Sequence, residues 1–416
     1  MYCFAGKLSL YVATGGIDPS KVLPVMLDCG TDNTDLLADP YYLGVQHQRL
    51  RGKGYYLLLH ECLSAIHHRW PNALIQFEDF STNTAQTVLD EYRHKMVCFN
   101  DDIQGTGAVT SSGILTALRI QAEKEFGDEA KASLSDQRIV VVGAGSAGLG
   151  VSQSLVAIME NEGMTQADAL SRFWVVDAQG SLGRTRIEED HTKDHSLLTQ
   201  QQRNFSRKDE EGNESLIDVV RRVKPTILLG LTGVKGIFTK EVIREMASHC
   251  QAPIIFPLSN PTSKAECTAQ QAYSWTDGRA VYASGSPFEP VEMEGKRYHP
   301  SQCNNMFIFP GIGLGATSVR ANEVTDKMFS IAAYALSETV SDEEKACGMV
   351  FPEISRIRDV TLSVATAVAQ TALREGNAEV LPDIPMNGTE CSFSELREWI
   401  GKGMYDPVYR PLISVP

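Results

Sequence analysis

"QRIVVVGAGSAGLGVSQSLVAIMENEG", residues 137–163, decides the fold. Residues 139–142 are apolar and β-branched, as in a strand covered on both faces. Gly143, Gly145 and Gly148 follow in the pattern G-x-G-x-x-G, and a helical period then runs to about residue 161. A dinucleotide pyrophosphate requires that order. The first glycine makes a tight turn, the second lets backbone approach the phosphates, and the third lets the helix pack closely on its strand. The N-terminus of the helix, which the pattern opens at residue 148, then faces the negative charge, with Ser146 and Ala147 in the loop before it. A lone glycine loop is a weak signal, but here a second strand-like run, "FWVVD", follows and ends at Asp177. An acid there accepts the ribose hydroxyls of NAD. Arg184 and Arg186 just beyond could instead neutralise the 2′-phosphate of NADP, so both cofactors stay open.

Outward from this loop the pattern repeats. "PTILLGLTG", "PIIFPLSNPT" and "AVYASGSPF" are short apolar runs bounded by turn residues, with helical stretches between them. Upstream, "VLPVML" (22–27), a helix near 53–69, "ALIQF" (73–77), a helix near 83–94, "MVCF" (96–99) and a long helix near 105–126 make an earlier series. Alternating strands and helices define the α/β class with parallel sheets. The expected fold is a Rossmann-like doubly wound parallel sheet domain plus a second α/β domain for substrate and metal. After "FIFPGIGLGA" the chain reads as mostly helical, including 361–375, and "DPVYRPLISVP" reads as an extended tail. The charged segment 186–214 reads as a solvated loop. His191 and His195 within it are spaced for metal on a helix, but mixed charge of this kind is the mark of a solvated face.

Composition narrows the function. The 416 residues exceed what one hydrophobic core usually serves, so two domains are expected. With 43% hydrophobic and 22% charged residues, disorder is not the default. A net charge of −14 without a basic run argues against nucleic-acid partners and against a polybasic membrane surface. An anionic substrate must therefore be captured by local groups. Nine scattered cysteines, never spaced C-x-x-C, point to reduced thiols in a cytosol-like compartment. The N-x-S/T triplets at Asn204, Asn213 and Asn387 read as chance. There is no apolar run of membrane-spanning length, and residues 1–30 lack a signal-peptide pattern. "MYCFAGKLSLYVATGG" enters a strand-like pattern at once, which hints at missing upstream sequence.

Two strand-like runs end in paired acids, Glu78 and Asp79 in "IQFEDF" and Asp101 and Asp102 in "CFNDDIQGTG". Acids at the carboxyl ends of parallel strands point into the ligand crevice of an α/β sheet. Four carboxylates together repel and raise one another's pKa unless a cation intervenes. Oxygen donors alone favour Mg²⁺ or Mn²⁺ over zinc; for a single residue such as Asp102, helix capping is the competing account. Lys7, among small and apolar neighbours on a probable strand, is either an edge lysine or a base whose pKa is lowered by burial and a nearby metal. Asn260, Asn304 and Asn305 lie in polar loops whose amides could face the same crevice, or are turn asparagines.

The segments "GKLSLY", "DCGTDN", "IQFEDF", "FNDDIQGTG", "VVGAGSAGLG", "LSNPTSKAECT", "ASGSPF" and "NNMFIFPG" together resemble, in order and over essentially the whole chain, the signatures of malic enzymes. The resemblance implies NAD- or NADP-dependent oxidative decarboxylation of (S)-malate to pyruvate and CO₂ with Mg²⁺ or Mn²⁺. By position within matching motifs it implies Glu78, Asp79 and Asp102 as metal ligands and Asp101 as their neighbour beside the lysine. Lys7 would be the base on the malate hydroxyl, with Asn260, Asn304 and Asn305 at substrate carboxylate or nicotinamide. It also implies a substrate and metal domain over 1–100 completed by 305–376, a Rossmann-like domain over 101–304, and a tail over 377–416. Members are usually dimers of dimers, so a homo-oligomer is implied, in cytoplasm or mitochondrial matrix. The chain departs from the pattern in having no match for the family's upstream tyrosine acid and malate-binding arginine. Ser301 and Cys303 stand where glycines are common. A non-catalytic nucleotide-binding protein and a malolactic enzyme are the alternative expectations.

Overall fold

The structure is a computed structural model and describes residues 2–126, 133–191, 198–379, 381, 383–386 and 391–408. Two short strands, β1 (Ile75–Phe77) and β2 (Cys98–Asn100), pair in parallel with Phe77 opposite Asn100. Helices Gly52–Arg69 and Thr82–Tyr92 cover them, and Leu59, Leu63, Phe77, Val88, Tyr92 and Cys98 form the enclosed apolar cluster. Because both strands stop at the same level, Glu78 and Asp79 leave β1 beside Asp101 and Asp102 leaving β2. One π-helical turn, Asp101–Gly105, carries the chain into the long helix Thr106–Phe126.

The larger sheet contains β3 (Ile139–Val142), β4 (Phe173–Asp177), β5 (Gly180–Ser181), β6 (Ile227–Gly230), β7 (Ile254–Pro257) and β8 (Val281–Ser284). A hairpin of β9 (Val291–Met293) and β10 (Lys296–Tyr298) precedes its last strand, β11 (Ser301–Gln302). The order is β11-β8-β7-β6-β3-β4-β5, with β5 alone antiparallel. Alternate strand residues serve opposite faces. Ile139, Val141, Ile227, Leu229, Ile254 and Phe256 join the core that contains helices Thr106–Phe126 and Ser146–Asn161. Val140, Val142, Leu228, Ile255 and Tyr282 pack under Leu216–Val223, Lys240–His249 and Ala269–Trp275. Strand order turns back between β3 and β6, and the glycine loop opens at that switch point. No helix among the described residues is long and apolar enough to cross a membrane.

Four expectations are corrected. Lys7 lies on a helix, Tyr2–Ala13, whose Tyr11 meets Phe309 edge-on at 5.0 Å; short apolar runs suit either element by pattern alone. Residues 22–27 form no strand, since no neighbour pairs with them and Leu23 and Met26 stay exposed. The described residues of segment 186–214 are no solvated loop: Leu198, Phe205 and Ser206 are buried, and Arg207 and Arg222 pair with Asp209, Glu210 and Glu214 around β4. His195 lies outside the described residues. The stretch expected as a C-terminal tail over 377–416 carries helix Phe393–Gly403, which buries Leu396 and Ile400 and ties Arg397 to Asp359 on helix Ile357–Arg374, while residues 406–408 of the part expected to be extended hold no regular element. Residues 409–416 lie outside the described residues.

The glycines of the loop are not equivalent. A Cβ on Gly148 would lie 2.0 Å from the Gly143 carbonyl oxygen, whereas one on Gly145 meets nothing within 4 Å. Gly148→Ala is therefore expected to cost about 3 kcal/mol and Gly145→Ala under about 1 kcal/mol. Urea denaturation of the two variants checks this, and equal losses would contradict it.

Candidate active site

A cavity of about 570 Å³ lies between the two sheets. Lys7, Asp79 and Asp102 line one side, Ser146 and Ala147 the cofactor side, and Asn260, Asn304 and Asn305 a third wall. Two of the four acids, the lysine, the residues that open the helix after the glycine loop and the three amides singled out in the sequence thus share one space.

Asp101 is wholly buried. Lys7 Nζ donates to its Oδ2, and Asn305 Nδ2 donates to the same oxygen at 3.0 Å and to the Asp101 carbonyl at 3.2 Å. Its Oδ1 has no hydrogen-bond partner. Gly105 makes room for it, since a Cβ there would stand 1.8 Å from that oxygen. Lys7 Nζ also sits 3.1 Å from Glu78 Oε1 and 4.5 Å from the centre of the Phe309 ring. Sequence reasoning missed the support behind Glu78. Gln76 Nε2 donates to Glu78 Oε2 at 2.8 Å, and the buried Tyr11 hydroxyl donates to Gln76 Oε1, which fixes the orientation of that amide. The i and i+2 spacing of Gln76 and Glu78 on one strand face was the available signal.

Asp79 holds a left-handed backbone, φ 59°, and its N–H donates to Asp102 Oδ2 at 2.8 Å. For a residue with a Cβ that conformation costs of order 1 kcal/mol or more and persists only where its surroundings impose it. Asp102 is thus no helix cap; the capping acceptor is Asn100 Oδ1, which takes the Ile103 N–H. One carboxylate oxygen each of Glu78, Asp79 and Asp102 lie within 4.8 Å of one another.

The electrostatics follow from this crowding. Burial, then the charge of Asp101, pushes Glu78 up to about 7, against the pull of Lys7. Burial raises Asp102 as well, with Asp101 adding to it and the Asp79 N–H opposing it. Asp101 is raised by burial and restrained by Lys7 and Asn305. For Lys7, burial pulls downward but the charges of Asp101 and Glu78 outweigh it, so its pKa is raised. With the carboxylates uncompensated, the ammonium form is favoured; the lowered value expected beside a bound metal concerns the occupied site. The all-oxygen donor set and its mutual repulsion fit a hard divalent cation.

The remaining residues divide. Asn260 Oδ1 accepts from the Ser286 hydroxyl at 2.8 Å and Asn304 Oδ1 from the Met306 N–H at 3.0 Å, so both amides are turned with their NH₂ groups available to the cavity. Asn305 lines the cavity, but its NH₂ group is engaged by Asp101 and by Thr106. Cys303, also on the wall, keeps its thiol proton, since burial pushes it up to about 12. Asp177 and Arg184 stand away from the cavity wall. Arg186, buried, forks onto both oxygens of Asp177 at 3.1 and 2.9 Å, while Arg184 is drawn to Glu211 and Glu188.

A glycine loop at the switch point of a parallel sheet, facing a lysine and three convergent carboxylates, defines a dinucleotide-binding fold of the oxidoreductase type. Comparison with known proteins carries this further. The family profile "Malic enzyme, N-terminal domain" matches residues 1–93, and "Malic enzyme, NAD binding domain" matches residues 103–373. Over 376 residues the chain is 45% identical to the NADP-dependent malic enzyme of Dictyostelium discoideum, covering 90% of this chain and 66% of that protein. Over 412 residues it is 42% identical to the NAD-dependent malic enzyme of Aliivibrio fischeri, covering 97% and 68%. The chain thus spans about two thirds of the length of these curated relatives. The crystal structure of Entamoeba histolytica malic enzyme shares the fold, with a TM-score of 0.68 and 23% identity over 96% of this chain and 68% of that one. The malic enzyme of Pyrococcus horikoshii does so with a TM-score of 0.66 and 21% identity, over 96% and 75%. The chain belongs to the malic enzyme family.

The Lys7–Asp101 contact yields a prediction. Removing Lys7 leaves a buried, uncompensated carboxylate, so Lys7→Met should cost roughly 3–5 kcal/mol, and adding Asp101→Asn should restore a large part of it. Urea denaturation of the single and double variants measures this; additive losses would show that the pair is not coupled.

Proposed function

We propose that this chain carries the catalytic centre for dinucleotide-linked oxidative decarboxylation of (S)-malate to pyruvate and CO₂. The observation that carries this reading is that Lys7, Asp79 and Asp102 face, across one cavity, the helix N-terminus of the glycine loop, with a Glu78 carboxylate oxygen within 4.8 Å of those of the two aspartates. Glu78, Asp79 and Asp102 would hold Mg²⁺ or Mn²⁺. When bound, such an ion polarises the hydroxyl and carboxylate oxygens of a 2-hydroxy acid, and the dinucleotide supplies the hydride acceptor. Lys7 would be the group placed to take the hydroxyl proton once a cation held by Glu78, Asp79 and Asp102 offsets the carboxylate charge that keeps it an ammonium. Asp101 and Glu78, both in contact with Nζ, hold the resulting ammonium. The outward NH₂ groups of Asn260 and Asn304 bind the substrate carboxylate or the carboxamide of the cofactor, a local capture that offsets the net charge of −14.

NAD is the favoured cofactor in this reading. A carboxylate, Asp177, ends β4 where the adenosine ribose falls in such folds, and both arginines that could receive a 2′-phosphate are engaged with acids. The support for a homo-oligomer is the exposed apolar surface of the N-terminal region, with Leu23, Tyr41, Leu43 and Leu57 open to solvent. The proposed division is a substrate and metal part over 1–100 completed by 305–376, with the cofactor part over 101–304.

The purified protein with malate and Mn²⁺ is expected to form NADH, followed by absorbance, with NAD preferred over NADP by about tenfold or more. Lys7→Ala and Asp102→Ala should each lower turnover by about 10²-fold or more. Turnover retained by both variants would overturn the site assignment. Lactate without free NADH would point to malolactic conversion, and cofactor binding without product to a non-catalytic protein.

A further inference from the structure

Glu266 lies in the turn after β7, in "NPTSKAEC", outside the site described above. It is wholly buried, and no ion pair reaches it among the described residues. Four donors converge on it instead. Oε1 accepts from the Thr232 N–H at 2.9 Å, the Thr232 hydroxyl at 2.9 Å and the Ser259 hydroxyl, and Oε2 accepts from the Ser259 N–H at 3.3 Å. The two hydroxyls are acceptors in turn: Thr232 Oγ1 takes the Val234 N–H at 2.9 Å, and Ser259 Oγ takes the Gly233 N–H at 2.8 Å. Both hydroxyl protons are therefore committed to Glu266, and backbone donors of two loops end on one carboxyl group. Gly230 leaves the space for it, since a Cβ there would stand 2.6 Å from Glu266 Cγ.

Those loops leave β6 and β7, the strands beside the switch point. The first presses on the glycine turn: a Cβ on Gly143 would lie 2.4 Å from the Leu231 carbonyl oxygen and 3.3 Å from Thr232 N. The second carries Leu258 and Asn260, which line the cavity together with Leu231. Burying a carboxyl group without a cation is costly, and an apolar side chain would fill the same volume at less cost. What an apolar group cannot do is fix two loops by their N–H groups.

We infer that Glu266 is a positioning residue for the dinucleotide, tying the loops after β6 and β7 together so that the glycine turn and Asn260 meet the cofactor at one spacing. This rests on reading the cavity as the dinucleotide site. Glu266→Gln tests it, because an amide of the same shape turns one acceptor into a donor that faces a donor. NAD⁺ binding is measured by calorimetry, Mn²⁺ binding by electron paramagnetic resonance, and steady-state constants where malate turns over. The expected result is NAD⁺ binding weaker by about tenfold, with Mn²⁺ affinity close to wild type, and the KM for NAD⁺ rising more than kcat falls. NAD⁺ affinity within about twofold of wild type, or an equal loss of Mn²⁺ affinity, overturns the proposal. Should Glu266→Gln not fold, Ser259→Ala and Thr232→Val each remove one contact and should weaken NAD⁺ binding by about threefold; wild-type affinity in both overturns it. A wild-type protein that binds NAD⁺ without oxidising malate defeats the catalytic reading alone, and the binding comparison still decides the role of Glu266.

Discussion

The arrangement of the cavity depends on how one buried carboxylate, Asp101, is compensated. A carboxylate without exposure is tolerated only when charge and hydrogen bonds reach it. Here they come from parts of the chain far apart in sequence: Lys7 from the N-terminal helix, Asn305 from the loop after β11, and a glycine at position 105 that makes room. That requirement draws helix Tyr2–Ala13 against Phe309 and brings the end of β2 to the floor of the cavity. The same contact keeps Lys7 beside Glu78, so the lysine and the acidic cluster hold their relation through one shared partner.

Repulsion among the acids is left in place and directed outward. Glu78 is pushed to about 7, and Asp102 is raised, because burial and neighbouring charge both disfavour ionisation. A fold optimised for stability alone would disperse these groups. Keeping them convergent, with the Asp79 backbone in a left-handed conformation to aim its N–H at Asp102, makes sense when a cation completes the set. The asparagines on the facing wall are turned the other way, with their oxygens satisfied by Ser286 and Met306, which leaves donors for an anion.

Legibility in the sequence tracked how local each requirement is. The glycine loop was legible because its constraint is set within six residues, and a Cβ on Gly143 or Gly148 would stand 2.4 or 2.0 Å from a backbone oxygen. The acid pairs were legible because strand ends are marked by the pattern, and equal strand register brings the pairs together. The helix carrying Lys7 was not, since a short apolar run fits either element until a partner such as Phe309 is known. The sequence leaves Arg186 open as a partner for a 2′-phosphate, because its fork onto Asp177 depends on described residues of the 186–214 segment packing back beside β4, which the charge of that segment conceals. Gln76 and Glu266 escaped for the same reason, as each acts through contacts made across the sheet ends.

The two halves of the cavity are joined by an element that belongs to both. Helix Thr106–Phe126 contributes Ala108, Val109, Ile114 and Leu118 to the large core, while the π-turn at its start is anchored at β2 by Asn100 and bears Asp101 and Asp102. The acids are therefore fixed to the end of a packed helix instead of a free loop. The glycine loop, in turn, faces that helix start through Gly150, whose Cβ would lie 3.5 Å from Ile103. Distances between the acidic cluster and the cofactor loop are consequently set by helix packing in the core, at the density of a protein interior. A core substitution at Ile114 or Leu118 would act on the site by moving one half against the other, even though neither side chain lines the cavity.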